Sequence, residues 1–324
     1  MKKLFIYSLP RSGSTLIQKY LYRNNEVSTI SEPWVLLPLY YMFKNGKVFS
    51  EYEHHLFMRS FSDLSVQGYD SKIIKASFIK AASDVYYKYV CDSSAKVFID
   101  KTPRYSIICN EIINDFPEDY HILLFRHPLS CVSSMVNTFC NGNWGLYRFN
   151  VDLFLGLIKL NYLLTNKMKY PNLQVLRYED FIANPEFYYE SICTNLNLDS
   201  KNKVEMHVKP LFGTLGDPIG EKKFGTKVFN QKSEYSWSAS FNTVYRRWWA
   251  KKLLKNIGED SFLLMGYDFK KTIKSISGGN YSLIQELKDF PHIILGFMHR
   301  YTGLYVTYVK LKSVFRGVET FGER

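Results

Sequence analysis

The sequence predicts an α/β fold: a mostly parallel β-sheet covered by helices on both faces, followed by a helical C-terminal extension. Three observations carry this reading. The chain opens on a short apolar run, a tight polar turn and a helical pattern, the grammar of a nucleotide-binding α/β unit. Further apolar runs then alternate with longer helical patterns, which implies parallel strands with covered faces. Finally, 324 residues with 46% hydrophobic content can bury a sizeable core. The expected division is one domain over residues 1–275 and an amphipathic helical extension over 276–324.

The elements follow in order. Residues 4–9 read as a buried strand, 10–14 as a turn, and 15–24 as a helix with Leu16, Ile17, Tyr20 and Leu21 on one face. Residues 27–30 form a second short strand, expected to run beside the first. Later strands are expected at 96–99, 122–125 and 173–177, with helices near 105–115, 129–138 and 151–168. Another helix should follow Asn184-Pro185 and end near Leu198. Residues 34–75 read as loops, and 209–240, rich in Gly, Lys and Ser, as a long ordered loop or lid. A basic helix at 242–257 is stopped by Gly258. Residues 281–315 carry one or two aromatic-rich amphipathic helices with Lys310, Lys312 and Arg316. No internal repeat occurs.

Composition narrows the function classes. With 25 Tyr, 24 Phe and 5 Trp the chain is not a disordered one. The 42 Lys and Arg outnumber 30 Asp and Glu, a formal charge of +12 that suggests an anionic partner or, more simply, a solvated basic surface. No nucleic-acid module accompanies the charge, which argues against nucleic acid as the partner. Cys91, Cys109, Cys131, Cys140 and Cys193 are scattered and odd in number, so they form neither a disulfide framework nor a zinc knuckle. Reduced thiols imply a cytoplasmic setting. The apolar stretch after the first lysines is too short for a signal-peptide core, and no run of about 18 apolar residues predicts a membrane span.

The most informative stretch is Ser8 to Leu16, SLPRSGSTL. A strand-to-helix turn containing Gly13 lets the backbone wrap an anion closely, because no Cβ intervenes. The N–H groups of Gly13, Ser14 and Thr15 would point at that anion with the helix dipole behind them. Arg11 adds a permanent cation, and Ser12, Ser14 and Thr15 add hydroxyls. A Walker A loop needs GxxxxGK[ST], with Lys on the phosphates and a hydroxyl on magnesium. Here Ser14 follows Gly13 and the loop has one glycine, so it suits a smaller anion and no metal. The simpler alternative is a plain helix N-cap by Ser12 or Ser14.

Leu123 to Met135, LLFRHPLSCVSSM, repeats the grammar. Arg126 ends a strand, Pro128 starts a helix, and Ser134 lies within it. Ligands of open α/β sheets bind at the carboxyl ends of strands. There an Arg and a hydroxyl from the following helix can clamp a second phosphate.

Taken together, these stretches resemble the sulfotransferase family over about residues 1 to 270. PRSGSTL is similar to its 5′-phosphosulfate loop and Arg126 with Ser134 to its 3′-phosphate motif. VLRYEDFIANPE (Val175 to Glu186) is similar to a recurrent family segment in which Tyr178 approaches the nucleotide. The resemblance implies a P-loop-like three-layer fold with a single parallel sheet. It also implies 3′-phosphoadenosine-5′-phosphosulfate as donor, bound through Arg11, Ser12, Gly13, Ser14, Thr15, Leu16, Arg126, Ser134 and Tyr178. Two departures stand out. The Gly-rich nucleotide segment of the cytosolic small-molecule branch is not recognisable, with Lys222, Lys223 and Lys227 as possible stand-ins, and the Lys-Thr-His segment that supplies its base is missing.

Sulfuryl transfer, like phosphoryl transfer, needs positioning, a base for the acceptor hydroxyl and cations for the leaving phosphate. In the branch that resembles tyrosylprotein and glycan sulfotransferases, a Glu soon after the phosphosulfate loop is the base, and Glu32 in TISEPW stands at that distance. Its bland alternative is a surface carboxylate or an ion pair with an Arg. Lys101 in FIDKTPRY matches a Lys of the same branch that contacts the donor, and Arg11 would share its role. Asp100 offers the competing reading of a Walker B carboxylate in a metal-dependent kinase. The histidines lack metal-ligand spacing; His54 and His55 point apart, and His121 and His127 flank a buried strand without evident partners.

The implied acceptor bears a hydroxyl, with a glycan or glycolipid favoured. The extension, with Phe297, Tyr301 and Tyr305 at helical spacing, is read first as packing on the domain and second as a peripheral membrane or oligomer contact. A non-catalytic anion-binding protein is the third functional reading.

Overall fold

The computed structural model describes residues 2–44, 54–66, 69–90, 95–205, 211, 236–278, 280–301, 304 and 311. Five strands form one fully parallel sheet: β1 (Lys2–Ser8), β2 (Val27–Thr29), β3 (Val97–Asp100), β4 (Tyr120–Phe125) and β5 (Leu173–Arg177). Their spatial order is β2-β3-β1-β4-β5. The short strand β2 therefore pairs with β3, not with β1 as the sequence suggested. Parallel neighbours require a crossover, and β3 takes the place beside β1.

β1 is central and buried on both faces, which accounts for its unbroken apolar run Leu4-Phe5-Ile6-Tyr7. Its two sides feed two cores. Leu4 and Ile6 pack with Leu16, Ile17 and Leu21 of α1 (Ser14–Tyr22) and with Phe181 and Ile192. Phe5 and Tyr7 face a larger cluster that includes Ile112, Leu129, Val132, Leu160 and Leu253. Two cores on opposite faces of one sheet make the three-layer arrangement expected.

The region read as loops at 34–75 is mostly helical: α2 (Leu36–Met42), α3 (His54–Val66) and α4 (Ser71–Val90). In α4 the exposed Ile73, Phe78 and Val85 blur the apolar stripe, so the periodic signal is weak. Predicted helices elsewhere fall close to place: α5 (Cys109–Asp115) after a 3₁₀ turn at Pro103–Ile107, α6 (Pro128–Phe139), and α7 (Leu157–Thr165) after a π-helical turn at Val151–Gly156. β5 is followed by α8 (Tyr178–Ala183) and α9 (Pro185–Leu196). The basic helix is α10 (Val244–Ile257), capped by Thr243 and stopped at Gly258, whose φ of 83° suits glycine. Two short helices, α11 (Glu259–Leu264) and α12 (Phe269–Ile276), precede the long α13 (Leu283–Tyr301).

A buried ion pair fastens α13 to the rest. Asp289 accepts from Arg246 Nε at 2.6 Å and Nη2 at 2.8 Å, and also from the Trp144 N–H at 3.0 Å. Nη1 and Nη2 also donate, to the carbonyls of Ser240 and Gly142 respectively. Among the described residues no helix is long and apolar enough to cross a membrane. Cys109, Cys131, Cys140 and Cys193 are buried and free. The loop lysines 222, 223 and 227, most of the expected 209–240 lid, Cys91, Tyr305, Lys310, Lys312 and Arg316 lie outside the described residues.

Candidate active site at the carboxyl ends of five strands

Each of the five strands delivers a candidate residue at its carboxyl end. Arg11 to Thr15 follow β1, Glu32 follows β2, Lys101 follows β3, Arg126 follows β4 and Tyr178 follows β5. In a parallel sheet these ends share one edge, and successive strands are added first on one side of β1 and then on the other, a switch point where ligands bind open α/β sheets.

The loop after β1 is bent in two places into the left-handed region, at Arg11 (φ 67°) and Gly13 (φ 89°). Arg11 holds there a conformation uncommon for a residue with a Cβ. Gly13 is the N-cap of α1, and no side chain caps the helix. The N-cap alternative therefore fails: Ser12 is buried with its Oγ 3.4 Å from Cys131 Sγ, and Ser14 is buried inside the first turn. An uncapped helix start behind a left-handed glycine is an anion-receptive arrangement. Gly13 has a second reason to be glycine, since a Cβ there would come 2.3 Å from the Tyr178 ring.

The two anchors are tied together. Arg126 Nη1 donates to the Arg11 carbonyl at 2.9 Å, and Arg11 Nε donates to Ser134 Oγ at 3.1 Å. The Arg126 guanidinium lies 4.7 Å from the centre of the Tyr178 ring. Burial raises the Tyr178 phenol above its usual pKa, with the Arg126 charge opposing, so it stays a neutral hydroxyl. Leu16 packs into the core and its N–H already donates to the Gly13 carbonyl.

Beside this groove lies a charged pair. Lys101, fully buried, donates to Glu32 Oε1 at 3.1 Å and to Thr15 Oγ1 at 3.4 Å. Glu32 pairs with a lysine, where the sequence alternative named an arginine, and its Oε2 accepts from Trp34 Nε1 at 3.1 Å. β2 need not adjoin β1 for this, because Gln18 of α1 reaches over. Its Nε2 donates to Thr29 Oγ1 at 2.8 Å and to the Ile30 carbonyl at 2.7 Å, holding the segment that leads to Glu32. Gln18 was missed; its signal is a polar side chain in a helix otherwise packed against the sheet.

Asp100 points the other way from Lys101, as strand alternation requires. Its Oδ2 accepts from the hydroxyls of Tyr87 at 2.5 Å and Tyr105 at 3.5 Å inside the larger core. Burial raises its pKa to about 7. A carboxyl enclosed by tyrosines cannot reach a metal beside the loop, so the Walker B reading loses its residue.

His121 and His127 are core histidines, with partners that the sequence did not show. His121 lies within hydrogen-bond distance of Tyr7 Oη (2.8 Å) and the Phe116 carbonyl (2.9 Å), and His127 of Thr272 Oγ1 (3.2 Å). Burial lowers their pKa values to about 4 and about 3. The His127 ring stacks on Trp237 at 5.0 Å, and the His127 main-chain N–H donates to Glu179 Oε1 at 3.2 Å. Glu179 also accepts from Tyr267 Oη at 2.7 Å. The residue after Tyr178 thus braces the turn after Arg126, a role that only the fold reveals.

Residues 3–202 match the model of a sulfotransferase family. The chain belongs to the sulfotransferase family. Among curated relatives, the nodulation protein NoeE of Sinorhizobium fredii (strain NBRC 101917 / NGR234) is 28% identical over 144 residues. That match covers 44% of this chain and 32% of the relative, so less than two thirds of the relative's length is represented. Similar solved structures include the sulfotransferase domain from the curacin biosynthetic pathway. It is 22% identical with a TM-score of 0.40, over 65% of this chain and 77% of that one. A sulfotransferase from Alicyclobacillus acidocaldarius is 10% identical with a TM-score of 0.44, over 84% and 98%.

Proposed function

We propose that this sulfotransferase moves a sulfuryl group from 3′-phosphoadenosine-5′-phosphosulfate to a hydroxyl on a carbohydrate or glycolipid. One observation carries the reading: Arg11, after β1, is bonded both to Arg126, after β4, and to Ser134 of α6, beside the buried Lys101–Glu32 pair. A donor with phosphates at both its 5′ and 3′ positions needs two cationic anchors at a fixed separation. The loop from Arg11 to Thr15 would take the 5′-phosphosulfate, and Arg126 with Ser134 the 3′-phosphate, with Tyr178 against the nucleotide.

In the reaction Glu32 takes the acceptor proton as the acceptor oxygen attacks sulfur. The bond from sulfur to the bridging oxygen breaks, and the electron pair leaves on the 5′-phosphate. Lys101 and Arg11 meet that new charge. Lys101, shared between Thr15 and Glu32, can turn from the carboxylate to the leaving oxygen, freeing Glu32 to act as base. The glycan preference rests on the resemblance to the Glu-base branch and on the +12 charge. The buried free thiols support a cytoplasmic setting.

Calorimetry with adenosine 3′,5′-bisphosphate in the absence of magnesium should show tight binding, and sulfur-labelled donor should label a glycan or glycolipid in an acceptor panel. Binding of ATP only with magnesium would instead favour a nucleotide kinase.

A further inference from the structure

Helix α13 presents the wrong side to solvent for an ordinary surface helix. At 3.6 residues per turn, Gln285, Asp289 and Gly296 fall on one side, and that side faces the protein. Asp289 joins Arg246, Gln285 donates to the Gly142 carbonyl at 3.2 Å, and Gly296 packs on Tyr147 so closely that a Cβ would stand 3.2 Å away. Leu283, Ile284, Leu287, Phe290, Leu295 and Phe297 occupy the other side over an arc of roughly 160°, and they are 48% to 70% exposed. Surface helices bury such an arc against a core. Here the polar side is bound and the apolar side is displayed, fixed in rotation by a buried ion pair.

The neighbouring surface extends the patch. Trp248 of α10 is exposed and has Lys252 Nζ 5.0 Å from its ring, and both line one cleft with Phe297. Lys288 stands exposed at the opposite border of the arc. Exposed large apolar residues gathered on one face mark an interaction site.

We propose that α13, with Trp248 and Lys252 beside it, docks this protein on the surface of an anionic lipid bilayer. The apolar arc enters the boundary between headgroups and acyl chains, while the bordering lysines meet lipid phosphates. Charge selects this occupant. Two copies of a chain with a formal charge of +12 repel one another, whereas anionic headgroups attract it. The arc is also wider than the two-in-seven seam of a paired helix. Docking is independent of sulfuryl transfer and stands or falls separately from it.

Co-sedimentation of the full chain with phosphatidylcholine vesicles, with and without phosphatidylglycerol, tests the proposal. The protein should partition onto the anionic vesicles, less so at high salt. The double variant Leu287→Glu, Phe290→Glu should lose about tenfold or more of that partitioning while keeping its circular dichroism and its bisphosphate binding. Trp248→Ala, outside α13, should weaken partitioning in the same direction and guards against a folding defect in the double variant. Equal sedimentation of the wild-type chain and both variants would overturn the proposal. So would a dimer in sedimentation velocity that the double variant converts to monomer, since the face would then belong to a second copy.

Discussion

Arg126 donates to the main-chain carbonyl of Arg11, so the anchor after β4 holds the loop after β1 in its left-handed bend. One guanidinium thus braces the loop proposed for the 5′-phosphosulfate and lies over the Tyr178 ring. Lysine keeps the charge but cannot form a planar fork or stack in the same way. Arg126→Lys should weaken adenosine 3′,5′-bisphosphate binding by about tenfold or more, the scale of a charged hydrogen bond lost. An unchanged affinity in calorimetry would remove residue 126 from the donor site.

The Lys101–Glu32 pair makes a different demand, because the proposed mechanism uses its members at different stages. Glu32→Gln should lower kcat by about 10²–10⁴-fold, the usual worth of a general base. Bisphosphate affinity should scarcely move, since the bisphosphate carries no acceptor. Lys101→Met should also slow turnover, and it leaves Glu32 without its cation. If Glu32→Gln turned over at the wild-type rate in a sulfur-transfer assay, the base would have to be sought elsewhere.

Gly13 is constrained twice, by its φ of 89° and by the Tyr178 ring. Gly13→Ala should therefore cost about 1 kcal/mol for the backbone alone, and more for displacing the ring. Pairing it with Tyr178→Ala should recover the steric part and leave the backbone part. A double-mutant cycle on thermal unfolding separates the two, and additive effects would show that ring and loop are not in contact.

Much of this site was legible because its chemistry is local. PRSGSTL, Arg126 and Lys101 each sit in a strand-then-turn segment whose period and punctuation can be read in a few residues, whereas Ser134, paired in the sequence reading with Arg126, reaches Arg11 instead. What stayed hidden was held by distance. Gln18 fixes the Glu32 segment, Glu179 braces the His127 turn, and Tyr7 meets His121 across 114 positions of sequence. The placement of β2 beside β3 was hidden too, because a three-residue strand carries too little pattern to choose its neighbour. Helix α4 was lost for the opposite reason: both its faces carry apolar residues, and periodicity has nothing to measure.

The Arg246–Asp289 pair is nearly inaccessible on both sides, 3% and 1% exposed. Removing one member leaves the other charged and buried, which typically costs about 3–5 kcal/mol. Asp289→Ala should lower thermal stability on that scale and loosen α13, seen as faster amide exchange across residues 283–299. A loss confined to a few tenths of a kcal/mol would mean that the helix is held by its other contacts.

Asp100 gives stability a pH dependence whose sign is fixed by its environment. Burial lifts its pKa to about 7 in the folded chain, against about 3.9 when unfolded. Between those values the folded protein keeps a proton that the unfolded chain has released. Stability attributable to this residue therefore falls as pH rises from about 4 to about 7, by roughly 1.4 kcal/mol per unit, and levels off above. His121 and His127 work in the opposite sense, since their folded pKa values of about 4 and about 3 lie below the unfolded value of about 6.5, so each adds stability as pH rises. Comparing wild type with Asp100→Asn cancels the histidines. The asparagine oxygen can still accept from Tyr87, but its amide donor takes the place of an oxygen that has no partner, at a pH-independent cost of about 1–3 kcal/mol. The variant should be the less stable protein near pH 4.5 and should close the gap steadily toward pH 7.5 in urea unfolding. A gap that stays constant across that range would mean that Asp100 is ionised in the folded protein throughout.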